Sequence, residues 1–379
     1  MKVAFIGQKG IPAKWGGVEF HVDELSRRLK KRGHEVSVYV RYWYTPKERQ
    51  EYEGVRLLHT SGINTKHLDA ATHSFTASVH TLFASYDIIH YHAIGPTLFS
   101  WIPRISDKKI VSTIHRFDYD ADKWNSPARN ILRLSEICAL NIPQKTIVVA
   151  KHQLKYYKKR GYNPVYIPNG VNISVKIEAN VIREKYNLLK NNYILFLGRF
   201  VPEKRIEWII NGFRAFKKRN NHNSIKLVLA GGSSGTDKYV KRLKSIADGN
   251  NDIIFTGYVM GREKAELLSN TKLFIIPSSL EGLPIALLEA MSYGIPCLAS
   301  DIPPHREVII YPEYGFLFQN DSYNNFVENL SMIIQRDMVY LNNIGEQARK
   351  MVRKEYDWED IINKTENLYY SINGSKKLD

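Results

Sequence analysis

The chain has 379 residues and carries 54 Lys and Arg against 38 Asp and Glu, a formal net charge of +16. That length favours two domains, because single cores rarely grow past roughly 250–300 residues, and 44% hydrophobic with 12% aromatic content excludes wholesale disorder. No apolar run nears the roughly 18 residues of a membrane-crossing helix, MKVAFIGQKG is a poor signal peptide, and two cysteines, Cys138 and Cys297, exclude a disulfide framework, so a cytoplasmic protein is expected.

In chain order, KVAFIG (2–7) reads as a strand ending in Gly. Val18, Val22, Leu25 and Leu29 then recur at helical spacing until Gly33 closes the helix, and HEVSVYV (34–40) is the next strand. This is the βαβ unit of a parallel sheet. VRLLHT (55–60), DIIHYHA (87–93), KIVSTIH (109–115) and KTIVVA (145–150) extend it, and VYIPNGVN (165–172) marks a boundary through its Pro and Asn-Gly. A second series follows with strands in YILFLGRF (193–200), KLVLAG (226–231), DIIFTGYV (252–259), KLFIIPSS (272–279) and PCLAS (296–300). Helices are expected at 205–219, 237–247, near 261–269 and from about 283. Two β/α runs predict an α/β protein of two doubly wound, Rossmann-like domains, 1–171 and 172–354. EYDWEDIINKTENLYYSI (355–372) reads as a final amphipathic helix.

The charge is uneven. Residues 1–170 hold 26 basic and 14 acidic side chains, a net +12, whereas residues 171–379 hold 28 and 24, a net +4. Nucleic acid, an anionic membrane surface or phosphorylated substrates each account for such an excess.

The densest chemistry lies in SSLEGLPIALLEAMSYGIPCLAS (278–300). Pro284 belongs to the first turn of a helix, which leaves Glu281 in the preceding loop. The backbone N–H groups of Gly282 and Leu283 then stand at a positive helix end that suits phosphate. Glu289, further along that helix, can accept hydrogen bonds from ribose hydroxyls; a capping carboxylate plus a surface Glu is the plainer reading. In FLGRFVPEKRIEWIINGF (196–213), Arg199 and Lys204 are two cations near a strand end, for which solvated surface side chains are the plain alternative to a binding role. Gly16 and Gly17 precede the first helix, where missing side chains allow close backbone approach to a ligand or simply a tight turn. His115 ends a strand, where sites of parallel sheets gather. The His residues look scattered, His90 and His92 share a strand face as packing, and no Asp-x-Asp is read as the sort that holds a divalent ion under a nucleotide-sugar, so no metal site is expected. The dinucleotide fingerprint and a Gly-x-Ser-x-Gly elbow are both missing, which disfavours hydride transfer and a serine nucleophile.

Together these strings resemble the family-4 retaining glycosyltransferases, in which an E-x7-E motif corresponds to Glu281 and Glu289. IPNGVN (167–172), LVLAGG (227–232) and FTGYV (255–259) match that family's landmarks in position and order. The resemblance implies the GT-B fold, two facing domains with a cleft between them and a last helix, 355–379, that returns to the N-terminal domain. It also implies that Arg199 and Lys204 clamp the donor diphosphate and that Gly16 and Gly17 close on the donor. Glu281 and His115 lie near the sugar as the catalytic pair, Glu289 holds the ribose, and the backbone around Tyr258 meets the nucleobase. No cofactor or metal is implied.

STIHRFDYDADKWNSPARNILRLSE (112–136) is similar to a stretch of a rhamnosyltransferase-like subgroup in bacterial polysaccharide assembly. It implies that Asp118, Lys123 and Trp124 shape the acceptor side. Arg116, Phe117 and Tyr119 depart from the subgroup's Gly-Leu-Asp-Trp and leave the acceptor open. The implied activity moves a sugar from a nucleoside-diphosphate-sugar to a saccharide or lipid-linked acceptor. RRLKKR (27–32) and KYYKKR (155–160) are the runs expected to rest on an anionic membrane. A sugar-nucleotide 2-epimerase shares the architecture and is the nearest rival. A basic nucleic-acid-binding protein fits the charge, yet no zinc-finger, RNP or helix-turn-helix signature is present.

Overall fold

Apolar strand-forming runs, most of them buried along their whole length, become two largely parallel sheets in a computed structural model that describes residues 1–65, 68–120, 125–219 and 224–374. The chain divides into one unit of Met1–Asn169 with the segment from Trp358 onward, and a second unit of Gly170–Asp357. The boundaries differ slightly from those expected because the Val171 N–H donates to the Tyr356 carbonyl at 2.9 Å and Val171 bridges Asp357. Both link segments are thereby tied into the second unit.

The first unit contains β1 (Lys2–Ile6), β2 (Glu35–Val40), β3 (Glu51–Tyr52), β4 (Val55–His59), β5 (Ile88–His92), β6 (Ile110–Ile114), β7 (Lys145–Val148) and β8 (Val165–Tyr166). Their order is β3-β4-β2-β1-β5-β6-β7-β8, parallel except for the β3–β4 pair. Alternate residues of each strand serve opposite faces. Val3, Phe5, Val36 and Val38 pack with Val22, Leu25 and Leu29 of the helix Gly17–Lys31 and with Ile361 and Ile362 of the last helix. On the other face, Ala4, Ile6, Ile89 and Tyr91 meet Ala77 of the helix Asp69–Thr81. Ile114 and Val148 of that face meet Ala139 of Ser126–Asn141 and Tyr157 of Lys151–Lys158. Each fully buried Val, Leu, Ile or Phe contributes roughly 1.5–3 kcal/mol, so both faces need their helices.

The last helix spans Trp358–Asn373 rather than starting at 355, since Glu355 ends the preceding helix, Met338–Glu355. It lies in the first unit, where Tyr369 Oη is 2.6 Å from His90 Nδ1. Arg28 and Arg32 of the first helix reach its Glu359, and Arg32 also reaches Glu366.

The second unit contains β9 (Tyr193–Leu197), β10 (Lys226–Ala230), β11 (Ile253–Gly257), β12 (Leu273–Ile276), β13 (Cys297–Ser300) and β14 (Phe316–Phe318). They are all parallel, in the order β11-β10-β9-β12-β13-β14. The strand order reverses at β9 and β12, and in the first unit at β1 and β5. Ligands of open α/β sheets bind beyond the carboxyl ends of the strands at such a reversal. No helix among the described residues is long and apolar enough to cross a membrane.

Candidate functional site

In the second unit, the loops leaving β9 and β12 carry the predicted charged residues to its strand-order reversal. Gly198 and Arg199 follow β9, and Glu281 follows β12. The Gly198 N–H donates to the Ala230 carbonyl at 2.9 Å, and the Phe200 N–H to the Gly232 carbonyl at 2.8 Å, so the residues flanking Arg199 are fixed. This closeness demands glycine at 231. Its φ is +146°, and a Cβ there would lie 1.7 Å from the Gly198 carbonyl oxygen. Tyr258, at the end of β11, donates to the carbonyls of Gly232 and Ser233 at 3.1 and 2.9 Å and covers the same loop. Arg199 is half-buried, close enough to Tyr258 for its charge to act on the phenol, and has no ion pair among the described residues.

Lys204 ends a short turn, Pro202–Lys204, and its ammonium is paired with the Glu281 carboxylate. Backbone hydrogen bonding from the Ser279 N–H to the Glu203 carbonyl, at 2.8 Å, ties the two loops together. Burial alone would raise the Glu281 carboxyl, but Lys204 and His305 beside it, with a hydrogen bond from Lys204, hold it below the usual carboxylate range. Burial lowers His305 to about 4, so it stays neutral despite that neighbour. The helix begins at Ile285 rather than 283, with Pro284 at its N-cap instead of in its first turn. The cause is the extended ψ of Pro284, 98°, which keeps Gly282, Leu283 and Pro284 in the loop. Glu289 accepts from Lys264 Nζ at 2.6 Å.

The first unit shows the arrangement least visible beforehand. Gly16 caps the first helix with φ +99°, and a Cβ would lie 1.9 Å from Glu19 Oε2. Buried Glu19 also accepts from the Lys9 N–H at 3.2 Å, so its carboxylate closes the loop that enters the helix at Gly17. His115, just past β6, is 92% covered, and its Nε2 is 3.0 Å from His92 Nδ1. His21 of the first helix packs its ring against His115 at 5.1 Å and against His92 at 5.5 Å. The expectation that the histidines are scattered is therefore corrected. His21, His92 and His115 bring one ligand atom each within 4.8 Å of one another, because the ends of adjacent β5 and β6 face the same helix. These three imidazoles are the described residues best placed to hold a metal ion. Burial drives His115 down to about 3 and His21 and His92 well below their ordinary value, so all three are neutral at pH 7. Asp118 lies in a short turn and accepts from Arg116 Nε at 3.0 Å. Lys123 and Trp124 lie outside the described residues.

Residues 15–175 match the model described as Glycosyltransferase Family 4, and residues 178–351 that of Glycosyl transferases group 1. The chain belongs to these glycosyltransferases. An uncharacterized glycosyltransferase of Methanocaldococcus jannaschii is 25% identical over 97% of this chain and 98% of its own. The UDP-Gal:α-D-GlcNAc-diphosphoundecaprenol α-1,3-galactosyltransferase of Escherichia coli is 24% identical over 76% of each chain. The structure of Anabaena HepE in complex with UDP and glucose superposes with a TM-score of 0.80 at 18% identity, over 98% of this chain and 100% of that one. The glycosyltransferase accordingly has the GT-B fold of two parallel-sheet α/β domains.

Sequence reasoning singled out Glu281, Glu289, Arg199, Lys204 and His115, but not their partners. Lys264, His305, Glu19 and His21 are absent from that reading, and His92 was read there only as packing beside His90. Only His92 carried a legible signal, since it ends a strand neighbouring the one that delivers His115.

Proposed function

We propose that this glycosyltransferase takes a nucleoside-diphosphate-sugar as donor and transfers the sugar with retention to a saccharide or lipid-linked acceptor in cell-surface polysaccharide assembly. The observation that carries the donor is the cluster in the second unit. Unpaired Arg199, Lys204 and the Gly282–Leu283 loop stand at the carboxyl ends of β9 and β12, with Glu289 one helix beyond. On this reading Arg199 and Lys204 bind the diphosphate and stabilise it as it leaves, and no metal or other cofactor is needed at that group. Glu289 exchanges Lys264 for ribose hydroxyls, the backbone by Tyr258 receives the base, and Glu281 stands near the sugar.

In the first unit, neutral His115 donates or accepts a hydrogen bond at a sugar hydroxyl, the Gly16–Gly17 loop approaches the donor, and Asp118 serves the acceptor. The acceptor attacks the face from which the diphosphate departs, a diphosphate oxygen takes its proton, and no protein nucleophile is required. HepE binding UDP and glucose, and a galactosyltransferase named for a diphosphoundecaprenol substrate, support donor and acceptor classes respectively. We place the work at the inner face of the cell membrane.

A panel of UDP-, GDP- and dTDP-sugars scored by thermal shift tests the reading, because a ligand that binds only the folded state raises its midpoint. One donor should stabilise strongly and be consumed only with acceptor present. No stabilisation by any donor, or efficient conversion of a donor alone, would overturn it.

A further inference from the structure

We infer that the helix Ser126–Asn141, with the basic end of the neighbouring helix Lys151–Lys158, is a docking surface for an anionic lipid bilayer. This rests on the proposed membrane-presented acceptor and names the surface that meets it. The helix Ser126–Asn141 buries Leu132, Ser135 and Ala139 against the sheet. A surface helix ordinarily turns polar residues outward. Here Ile131, Leu134 and Ile137, three residues apart, are 55%, 53% and 52% exposed. The apolar stripe is thus repeated on the side facing water, where it does nothing for the fold.

Charge selects the occupant. Tyr157 Oη donates to Glu136 Oε1 at 2.5 Å and ties the helix Lys151–Lys158 to the helix that carries the stripe. That neighbour exposes Lys155, Lys158, Lys159 and Arg160, none of which has an ion pair among the described residues. Residues 101–160 hold 13 basic and 5 acidic side chains, a net +8 that is half the charge of the chain. An exposed apolar stripe on one helix, with unpaired cations on the helix hydrogen-bonded to it, suits an interface where acyl chains lie beneath anionic headgroups. A second copy of the same surface would set like charges against each other.

The other basic run is differently employed. Arg27 is paired with Asp23, Glu24 and Glu53, Arg28 with Glu24 and Glu359, and Arg32 with Glu359 and Glu366. These arginines fasten the first and last helices on the opposite face of the sheet. Membrane docking expected of residues 27–32 is therefore reassigned to the surface around 131–160.

Co-sedimentation with vesicles of phosphatidylcholine, alone or mixed with phosphatidylglycerol, tests the surface without any donor. The wild-type chain should bind the anionic vesicles at low salt and release from phosphatidylcholine alone. Ile131→Ser/Leu134→Ser/Ile137→Ser should lower binding on the order of tenfold, since three apolar anchors are lost. Lys158→Glu/Lys159→Glu should lower it at low salt, with the difference shrinking at high salt. Lys30→Glu/Lys31→Glu, on the first helix, should change it less than about twofold, because the membrane field falls off within a Debye length. No wild-type binding, a triple variant that binds like the parent, or equal loss in the Lys30/Lys31 variant overturns the inference. So does a wild-type dimer by light scattering that the triple variant converts to monomer. Nucleoside-diphosphate thermal shifts on the same samples keep the donor reading separate: if they persist while vesicle binding fails, only this surface falls.

Discussion

Acidification from pH 7 to pH 5 should destabilise the N-terminal unit well before the Glu281 carboxyl of the second unit is titrated. Burial holds His73 and His115 at about 3, against an unfolded value near 6.5. Below pH 6.5 the unfolded chain takes up protons that the folded imidazoles refuse. Stability therefore falls as the pH drops from about 6.5 toward 3, and is fully present above that window. At pH 5 each such imidazole costs roughly 2 kcal/mol, so these two together cost about 4 kcal/mol. His21, His90 and His92 are displaced in the same direction by burial and add to the loss. Asp23 and Glu136, raised by burial, offset part of it. For a unit of this size, about 4 kcal/mol corresponds to a midpoint roughly 8–16 °C lower. Differential scanning calorimetry at pH 7, 6 and 5 reads this directly. In His73→Leu, which removes one fully buried imidazole, the pH-dependent fall should shrink by about 2 kcal/mol. A parent midpoint that moves by less than about 2 °C between pH 7 and 5, or an unchanged slope in the variant, refutes the reasoning.

Three further outcomes concern the second unit. Arg199→Ala, Lys204→Ala and Glu289→Ala should each weaken donor binding or turnover by about tenfold or more, as expected when a charge-assisted contact is lost; if calorimetry and kinetics find all three like the parent, the donor assignment fails. Glu281→Gln keeps the side-chain shape but releases Lys204, so nucleoside-diphosphate affinity should rise while transfer slows, and weaker diphosphate binding would contradict the pairing argument. Gly231→Ala should lower the stability of the second unit by at least about 3 kcal/mol, because both φ and the approach to Gly198 exclude a Cβ; an unchanged thermal midpoint would sink that claim.

Period and punctuation made the sheets legible. Apolar runs such as YILFL and KLVLA have one structural use when bounded by Gly and charged turns, and they became β9 and β10. Glu281 and Lys204 were legible as chemistry because each stands in a loop after a strand-like run. Their mutual pairing was not, since 77 residues separate them and only the order of β9 beside β12 brings the loops together. Similarly, His21, His92 and His115 come from a helix and two strands. Short-range patterns place each of them in its own element, while parallel register decides that they meet. Element ends were read less closely. Pro284 suggested a first-turn residue, whereas its extended backbone puts it at the cap. Glu355 suggested the start of the last helix, whereas it completes the one before.

The pairing of cations explains why net charge alone said so little about function. Among the four basic groups discussed in the second unit, Lys204 and Lys264 each face a carboxylate, His305 is neutral, and Arg199 has no ion pair among the described residues. On the proposed function, a ligand entering there must repay two existing ion pairs. A lone phosphate can recruit Arg199 and the spare N–H bonds of Lys204, but offers nothing to Glu289 once Lys264 is displaced. A nucleoside diphosphate does both, supplying anionic oxygens at one end and ribose hydroxyls at the other. Pre-paired charges thus act as a filter, because they penalise any anion that satisfies only half of the site. Cations without an ion pair among the described residues also lie along residues 155–160 of the first unit, where a broad anionic surface needs no such discrimination.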